Sequence, residues 1–586
     1  MNLLVIFLVS ALVLYLAARW YGGGLSRMLG MNDAEPTPAV AQCDNKDFVP
    51  TKLHVVFAHH FATIAGAGPI IGPTVAVLYG FVPAWLWVIL GGIFFGAVHD
   101  FTSLFVSVKE GGKSLAEVTR KTLGKAGFLL FISFTLLMLF LVCGAFLNAT
   151  AISLTSFWPL AKLELTPDQT VLRAVTNPQT GILEGAIGGI ASTSVIIITL
   201  LSPLLGWMLY KRGIATWIAY IAAGFIAFGS VLIGFRLPIS LDLHVWMVIL
   251  SLYCFVAAAL PVWVVLQPRD FTNVQILYGG MLLLVIGVFA SGFRGIEVSY
   301  PATNISGGVK HLGFLWPMMF ITIACGAISG FHALVAGGTT SKQIVRQTYA
   351  RKVGYGAMLL ESCLALLVLL ALSGGLTYGD YMAIVWPEPG AGKANPILAF
   401  SLAVGHLLNG VIGIPIYIGT IFGILMVEGF VITSLDSAVR FVRYLLEEFW
   451  TVVWPGAPAL VKHPLFNSGI AVAGMWGLAA GNSFALLWPI FGSANQLLAA
   501  LTLITITIWL ALRGLKNWFT VVPAIFMTLT TVGSLVLLLF NQYLPKKNWT
   551  LVTADLILLA LSVTLAVVAV RRGMVLMQSK QLPAAA

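Results

Sequence analysis

Sixteen apolar runs separated by short polar stretches dominate the 586-residue chain. They lie near 2–19, 53–80, 82–108, 127–157, 186–209, 214–235, 244–265, 274–292, 313–337, 355–375, 396–409, 412–446, 467–481, 483–512, 518–541 and 549–571. A membrane-crossing helix needs roughly 20 apolar residues, whereas a strand of a membrane barrel needs only about ten. The runs therefore predict helices, and the chain as an all-α polytopic membrane protein of about 15–17 transmembrane helices. The longest polar stretch, 20–52, is too short for a soluble domain. The reading is one membrane domain over 1–586, with core helices within 53–512 and peripheral helices in 1–52 and 513–586. No Lys or Arg precedes the first run and Arg19 follows it, so this run reads as the first span with an outside N-terminus, not as a cleavable signal.

Composition agrees. Hydrophobic residues make up 59% and charged residues 9%, against about 25% charged in a soluble domain, and the mean hydropathy is +0.97. Soluble, disordered, collagen-like and secreted disulfide classes are excluded. The net charge of +11 is not gathered on one soluble face, so a nucleic-acid partner is excluded and the lipid bilayer is the expected one. Cys43, Cys143, Cys254, Cys325 and Cys363 are odd in number and far apart, which argues against a disulfide framework or a zinc pair.

Basic residues set the orientation. Lys109, Lys113, Arg120, Lys121 and Lys125 form one basic loop; Lys342, Arg346, Arg351 and Lys352 form another. Lys211/Arg212 and Arg269 mark two more. All fall inside if residue 1 is outside. Keeping Arg440, Arg443, Arg513, Lys516, Arg571 and Arg572 inside as well requires one parity change between 376 and 440. Either 396–446 crosses three times or one of its segments is re-entrant. The C-terminus is then cytoplasmic; Lys546 and Lys547 run against the scheme.

Two segments carry helix-breaking residues. In 53–80, Ala65-Gly66-Ala67-Gly68-Pro69 leads to Gly72-Pro73, and glycine and proline cost about 1 and 3 kcal/mol in a helix interior. Unwound backbone at membrane depth is tolerated where protein or a water-lined cavity satisfies it, and secondary transporters build binding sites there. Close helix packing through small residues is the alternative. The second segment, 324–342, ends in Gly337-Gly338-Thr339-Thr340. Setting Phe61–Ala67 beside His332–Gly338 gives three identities in seven positions, the pattern of paired segments in a structural repeat.

Ionisable residues within spans are costly and are functional candidates. His59 and His60 precede the first break and both adjoin Thr63 on the helix surface; His99 and Asp100 lie in the next span. A carboxylate beside a histidine suits proton coupling. The same four residues, His59, His60, His99 and Asp100, are the candidate ligands if a metal ion is bound, although no zinc-protease spacing is present; otherwise no cofactor is expected. Glu428 and Asp436 are eight apart on one helix and, with Thr433 and Ser434, form an oxygen-rich patch suited to a cation or a proton path; Arg440 is the expected partner of Asp436. Glu361 and Asp555 are placed at span ends. Asn495 and Gln496 serve either to lock helices together or to bind substrate.

These residues resemble the carbon starvation protein A family, also called peptide transporter carbon starvation, over almost the whole chain. The resemblance rests on Pro50-Thr51-Lys52, on His59-His60-Phe61-Ala62 through Gly72-Pro73, on Gly96-Ala97-Val98-His99-Asp100-Phe101, and on Gln267-Pro268-Arg269-Asp270. It continues in Ser329-Gly330-Phe331-His332-Ala333 through Lys342, in Leu435-Asp436, and in Trp488-Pro489 with Phe491-Gly492, Asn495 and Gln496. It implies a bacterial inner-membrane secondary transporter with a leucine-transporter-like inverted-repeat core, taking up peptides during carbon starvation or, in some members, pyruvate. Relatives carry Gln or His where His99 stands, which weakens a universal role for it.

The expected activity is therefore symport of a short peptide, or of pyruvate, with H+ or Na+. Gly66, Ala67, Gly68, Pro69, Ser329, Gly330, His332, Thr339, Thr340, Asn495 and Gln496 are expected at the substrate. His59, His60, His99, Asp100, Glu428, Thr433, Ser434 and Asp436 are expected in ion coupling. A membrane-embedded metalloenzyme is the alternative from another class.

Overall fold

The computed structural model describes residues 1–44, 48–178, 180–261, 263–388, 392–454 and 456–581. Every one of the sixteen apolar runs holds helix. Among the described residues, eleven helices are long and apolar enough to cross a membrane, and a twelfth span forms if the bent pair Leu53–Ile64 and Gly68–Tyr79 counts as one. The other runs give shorter helices: Leu243–Ala259, Pro396–Ile412, Pro464–Ala479 and the pair Leu315–Thr322 and Phe331–Gly338. The exposed surface of the spans is apolar, as at Leu200, Phe225, Phe228 and Leu282, which is what a hydrocarbon solvent requires.

Three local features depart from the sequence expectations. Residues 396–446 hold two helices, not three: Pro396–Ile412, and one helix Ile416–Val453 that runs 38 residues. The turn is set by Gly413 at φ 74°, a left-handed helix cap, followed by Pro415. The polar stretch after Lys109 is only a short turn before helix resumes at Leu115, and that helix is kinked at Gly124. Finally, the loop after Leu154 carries a small antiparallel sheet of Phe157–Pro159, Leu183–Ala186 and Ala174–Thr176, with Leu183–Ala186 in the middle.

The chain divides into two compact units. The first comprises Met1–Phe7, Leu139–Pro301 and Leu367–Leu487. Its tightest helix pair is Pro396–Ile412 with Ile416–Val453. Gly405, Gly419 and Gly423 line that seam, where a Cβ on Gly419 would fall 2.7 Å from the Gly405 Cα. Small residues let two membrane helices gain dispersion contacts that larger side chains would prevent. Leu266–Phe293 and Pro464–Ala479 also pack on Ile416–Val453.

The second unit comprises Leu8–Met138, Ala302–Leu366 and the chain from Trp488 onward. It contains both broken helices. The first breaks at Ala65-Gly66-Ala67, where Gly66 N–H donates to the Ile64 carbonyl at 2.7 Å, and the axis turns by 46°. Helix resumes at Gly68 with Pro69 in its first turn, a position that tolerates a missing N–H. The unwound part is thus narrower than the 65–73 expected. The second helix breaks at 323–330, between Leu315–Thr322 and Phe331–Gly338, ahead of the glycine pair singled out from sequence. Phe61–Ala67 runs off a helix end whereas His332–Gly338 stays helical, so the seven-residue likeness does not place two equivalent breaks.

Glycines surround the second break. A Cβ on Gly72 would lie 2.9 Å from the Thr322 carbonyl oxygen, and Cβ atoms on Gly68, Gly96 and Gly492 would collide with Cys325, Ala327 and Ile321. Five π-helical turns also occur among the described residues; the one at Gly92–Gly96 immediately precedes His99 and Asp100.

An ionic cluster closes one end of this unit. Glu110 accepts from Lys121 Nζ at 2.5 Å, Trp509 Nε1 at 2.7 Å and Arg513 Nη2 at 2.7 Å. Burial alone would push its carboxyl up, but the bonds from Lys121 and Trp509 and the charges of Lys121 and Arg513 hold it below the ordinary value.

Two stability outcomes are expected. Gly72→Ala overpacks the break and should lower the stability of the detergent-purified protein by about 1–3 kcal/mol, whereas Gly477→Ala, whose Cβ meets nothing within 4 Å, should be neutral or slightly stabilising; thermal unfolding of the two variants distinguishes them. A carboxylate with a depressed folded pKa stabilises above its unfolded pKa of about 4.3 and loses that contribution as pH falls through the folded value. Glu110→Gln should therefore lower the melting temperature at neutral pH, and its difference from the parent should shrink in acid.

Candidate functional site

The second unit gathers a buried ionisable cluster beside the two breaks. His99 Nδ1–H donates to Asp100 Oδ1 at 2.7 Å, and His332 Nδ1–H donates to Asp100 Oδ2 at 2.8 Å. On its other side His332 Nε2 lies 3.4 Å from Glu361 Oε2. All four side chains have zero exposure. Asp100 follows the π turn of Phe81–Lys109, His332 opens the helix after the second break, and Glu361 lies mid-span in Arg351–Gly375. Among the described residues, His332 Nε2 and both Glu361 oxygens have no hydrogen-bond partner.

The placement of Glu361 corrects the sequence reading: it is not interfacial but at the heart of the cluster. Asp555, six residues into the span Trp549–Arg572, is also fully buried, and neither of its oxygens has a partner among the described residues. His60 is buried and shares a hydrogen bond with Thr340 Oγ1, Nδ1 to Oγ1, at 2.8 Å. His59 is exposed. Hence His59, His60, His99 and Asp100 do not converge on one point. Among the described residues, the ligand atoms that do lie within 4.8 Å of one another, close enough to hold one ion, belong to Cys325, His332 and Glu361.

Asn495 and Gln496 are both engaged by the second break. The Asn495 side-chain oxygen accepts from Phe331 N–H at 3.0 Å, its backbone oxygen accepts from Gly330 N–H at 3.1 Å, and its Nδ2 donates to Ser329 Oγ at 3.1 Å. Gln496 Nε2 donates to the Phe320 carbonyl at 2.7 Å. Trp488 Nε1 donates to the Thr322 carbonyl at 3.3 Å and Ser362 Oγ to the Gly326 carbonyl at 3.1 Å. An unsatisfied peptide group in hydrocarbon costs several kcal/mol, so these side chains are what make the unwound stretch affordable. Gly68 packs on Cys325, Ser329 is buried, and Thr339 is exposed at the end of its helix. The expected substrate residues around the two breaks, Gly66 to Pro69 and Ser329 to His332, therefore belong to elements of one unit, with Leu315–Thr322 packed on Gly68–Ala76 and Phe331–Gly338 on Leu53–Ile64.

The first unit holds a separate polar group. Asp436 Oδ2 accepts from Tyr253 OH at 2.6 Å and forms an ion pair with Arg269, whose Nη2 lies 2.8 Å away. Arg269 also donates to the Tyr253 hydroxyl and, at 2.9 Å, to Thr433 Oγ1, which in turn donates to Asp270 Oδ1 at 2.9 Å. The partner of Asp436 is thus Arg269, not Arg440, whose guanidinium donates to the Leu260 carbonyl. Glu428, two turns before Asp436, accepts from Ser153 and does not join this group; Ser434 is half-buried. Arg269 and Asp270 sit in the Gln-Pro-Arg-Asp stretch at the start of Leu266–Phe293. Two ionisable residues side by side near the start of an apolar run were a signal that could have identified them.

Removing one partner of a buried ion pair leaves the other charge unpaired, which costs about 3–5 kcal/mol. Arg269→Ala should destabilise the protein by that order in thermal unfolding, and Arg269→Gln with Asp436→Asn should recover a large part of the loss.

Residues 2–394 and 380–534 match the profile described as Carbon starvation protein CstA. A protein of Bacillus subtilis named Peptide transporter CstA is 33% identical over 549 residues, covering 86% of this chain and 84% of its own. The Escherichia coli proteins named Peptide transporter CstA and Pyruvate/proton symporter BtsT are 30% and 31% identical, each covering 91% of this chain and 80% and 81% of their own. A manganese transporter of Eremococcus coleocola overlaps 88% of this chain and 95% of its own at 10% identity with a TM-score of 0.35, a likeness too slight to bear on fold or function. With a profile match across most of its length and relatives at this level of identity, the chain belongs to the carbon starvation protein CstA family.

Proposed function

We propose that this multi-pass membrane protein is a secondary active transporter that takes up short peptides across the bacterial inner membrane in symport with protons. The observation that carries the reading is the Asp100–His332–Glu361 cluster, buried beside two discontinuous helices. Asp100 has both oxygens committed to imidazole N–H groups. Glu361 has none committed among the described residues, so it is the carboxyl best placed to exchange a proton.

With protons on His332 and Glu361, one cation stands against one carboxylate and the group is neutral. Releasing the Glu361 proton leaves one net negative charge in a medium of low dielectric, which is costly unless water or a cation reaches it. Proton exchange is thereby tied to opening of the packed seam around the second break, where Gly68 meets Cys325 and Gly72 meets Thr322. A peptide needs one site for its carboxylate and one for its amine. In this reading the helix start at Gly68 serves the first and deprotonated Glu361 the second, since Asp100, Glu428 and Asp436 each accept hydrogen bonds from other side chains. In this reading the basic loops face the cytoplasm and the N-terminus lies outside; a cytoplasmic C-terminus then requires one of the two helices in 396–446, the shorter Pro396–Ile412 being the candidate, to be re-entrant.

Pyruvate is the second reading, favoured by the relative named a pyruvate/proton symporter; it needs the anion site alone. The purified protein in liposomes, given labelled dipeptide or pyruvate with and without an inward proton gradient, tests both. Gradient-driven dipeptide accumulation is expected. Glu361→Gln should reduce that accumulation by about 5- to 150-fold, the usual span of a coupling free energy, and should also weaken dipeptide exchange between equal pools, because the peptide amine loses its carboxylate. Accumulation driven by sodium alone, or unimpaired accumulation by Glu361→Gln, would overturn the proton assignment; accumulation of pyruvate alone would replace the substrate.

A further inference from the structure

Away from the broken helices, a cleft of about 430 Å³ opens where the first span meets the start of Arg351–Gly375. Tyr15, Arg19, Arg351, Lys352 and Tyr355 line it. Arg19 Nη1 donates to the Tyr15 hydroxyl at 3.3 Å, and Lys352 Nζ lies 5.7 Å from the centre of the Tyr349 ring. Arg351 lies over Gly23, where a Cβ would come within 3.4 Å of its Nη1. Among the described residues, none of the three cations pairs with a carboxylate. Three like charges around one cleft repel one another, so the arrangement is stable only with an anion at its centre or with water screening it.

Two apolar stripes run from the cleft along the helices. Leu8, Leu12 and Tyr15 are exposed at spacings of four and three, on the same helix face as Arg19. Leu86, Leu90 and Phe94 are exposed at spacings of four on Phe81–Lys109, and the Phe94 ring meets Tyr21 at 5.2 Å. Exposed Trp20 adds an aromatic anchor of the kind found at the membrane surface. We propose that the cleft binds the phosphate headgroup of an anionic phospholipid, with Arg19, Arg351 and Lys352 as its contacts and the two stripes beneath its acyl chains. A basic pocket between spans, continuous with lipid-facing apolar surface, matches a lipid better than a free phosphate, which would use only the cations.

Native mass spectrometry of the full-length protein in detergent tests this, with phosphatidylglycerol, phosphatidylcholine, glycerol 3-phosphate and inorganic phosphate as separate probes. Phosphatidylglycerol should be retained in preference to phosphatidylcholine, with neither soluble phosphate competing at equal concentration. Arg351→Gln with Lys352→Gln should weaken retention by about fivefold per cation removed, and Arg351→Lys with Lys352→Arg should restore it. If the double Gln variant is not monodisperse, Arg19→Gln, which lies on an exposed helix face, gives the same reading at one cation. Equal retention of the neutral lipid, displacement by free phosphate, or unchanged retention in the Gln variants would overturn the proposal.

Discussion

Peptide groups left without helical partners at membrane depth are the constraint on which the second unit depends. Residues 323–330 interrupt a helix inside the packed membrane domain, and each N–H or C=O left unpaired away from water would cost several kcal/mol. The surrounding residues answer that cost in two ways. Side chains from Asn495, Gln496, Trp488 and Ser362 hydrogen-bond to the stretch or its flanks. Glycines at 68, 72, 96 and 492 remove the Cβ atoms that would hold neighbouring helices away. The result is a stretch of backbone that is irregular yet tightly enclosed, and it delivers His332 to Asp100 and Glu361.

The same economy governs the buried charges. Asp100 is held between two imidazoles, and in the first unit Asp436 is held by Arg269 and Tyr253. Both are carboxylates whose desolvation is offset by hydrogen bonds from a cation or a polar donor. Glu361 differs, because among the described residues neither of its oxygens has a hydrogen-bond partner, and the nearby Nε2 belongs to a histidine already bonded to Asp100 through its other nitrogen. A carboxyl in that position is stable when it carries a proton and costly when it does not, which is the property a coupling site needs. The Cys325 sulfur sits close enough to complete a three-ligand group with His332 and Glu361, so the same geometry that suits a proton is also open to a soft cation.

Much of this was legible in the residues. The apolar runs located the helices, and the Gly-Pro sequence located the first break to within a few residues, because proline and glycine act on their own backbone. Partners were harder to read. Arg440 is one helical turn from Asp436, and sequence spacing favours it, but Arg269 reaches Asp436 from another helix 167 positions earlier in the chain. Glu361 was assigned to a span end because nothing local marks it as special; its role comes wholly from what packs against it. The second break was expected in the right segment but too far along it, for a similar reason. Ala-Cys-Gly-Ala-Ile-Ser-Gly is not a strong helix breaker on its own, and it unwinds where Asn495 and Gln496 offer alternative hydrogen bonds.

The π turn at Gly92–Gly96 has a consequence for how such a chain can change by mutation. A π turn accommodates one residue more than the regular helix around it. Deleting a single residue there would restore an ordinary helix and leave the stretches on either side in the same rotational register. The same deletion in the regular helix before it, Phe81–Gly91, would turn everything beyond by about 100°, and His99 and Asp100 would swing from the protein interior toward another face with no change in their identity. The ionisable cluster is thus set by the length of the preceding helix as much as by its composition. A one-codon deletion in that apolar run, harmless by any measure of hydrophobicity, would dismantle the cluster, whereas one within the π turn would spare its register.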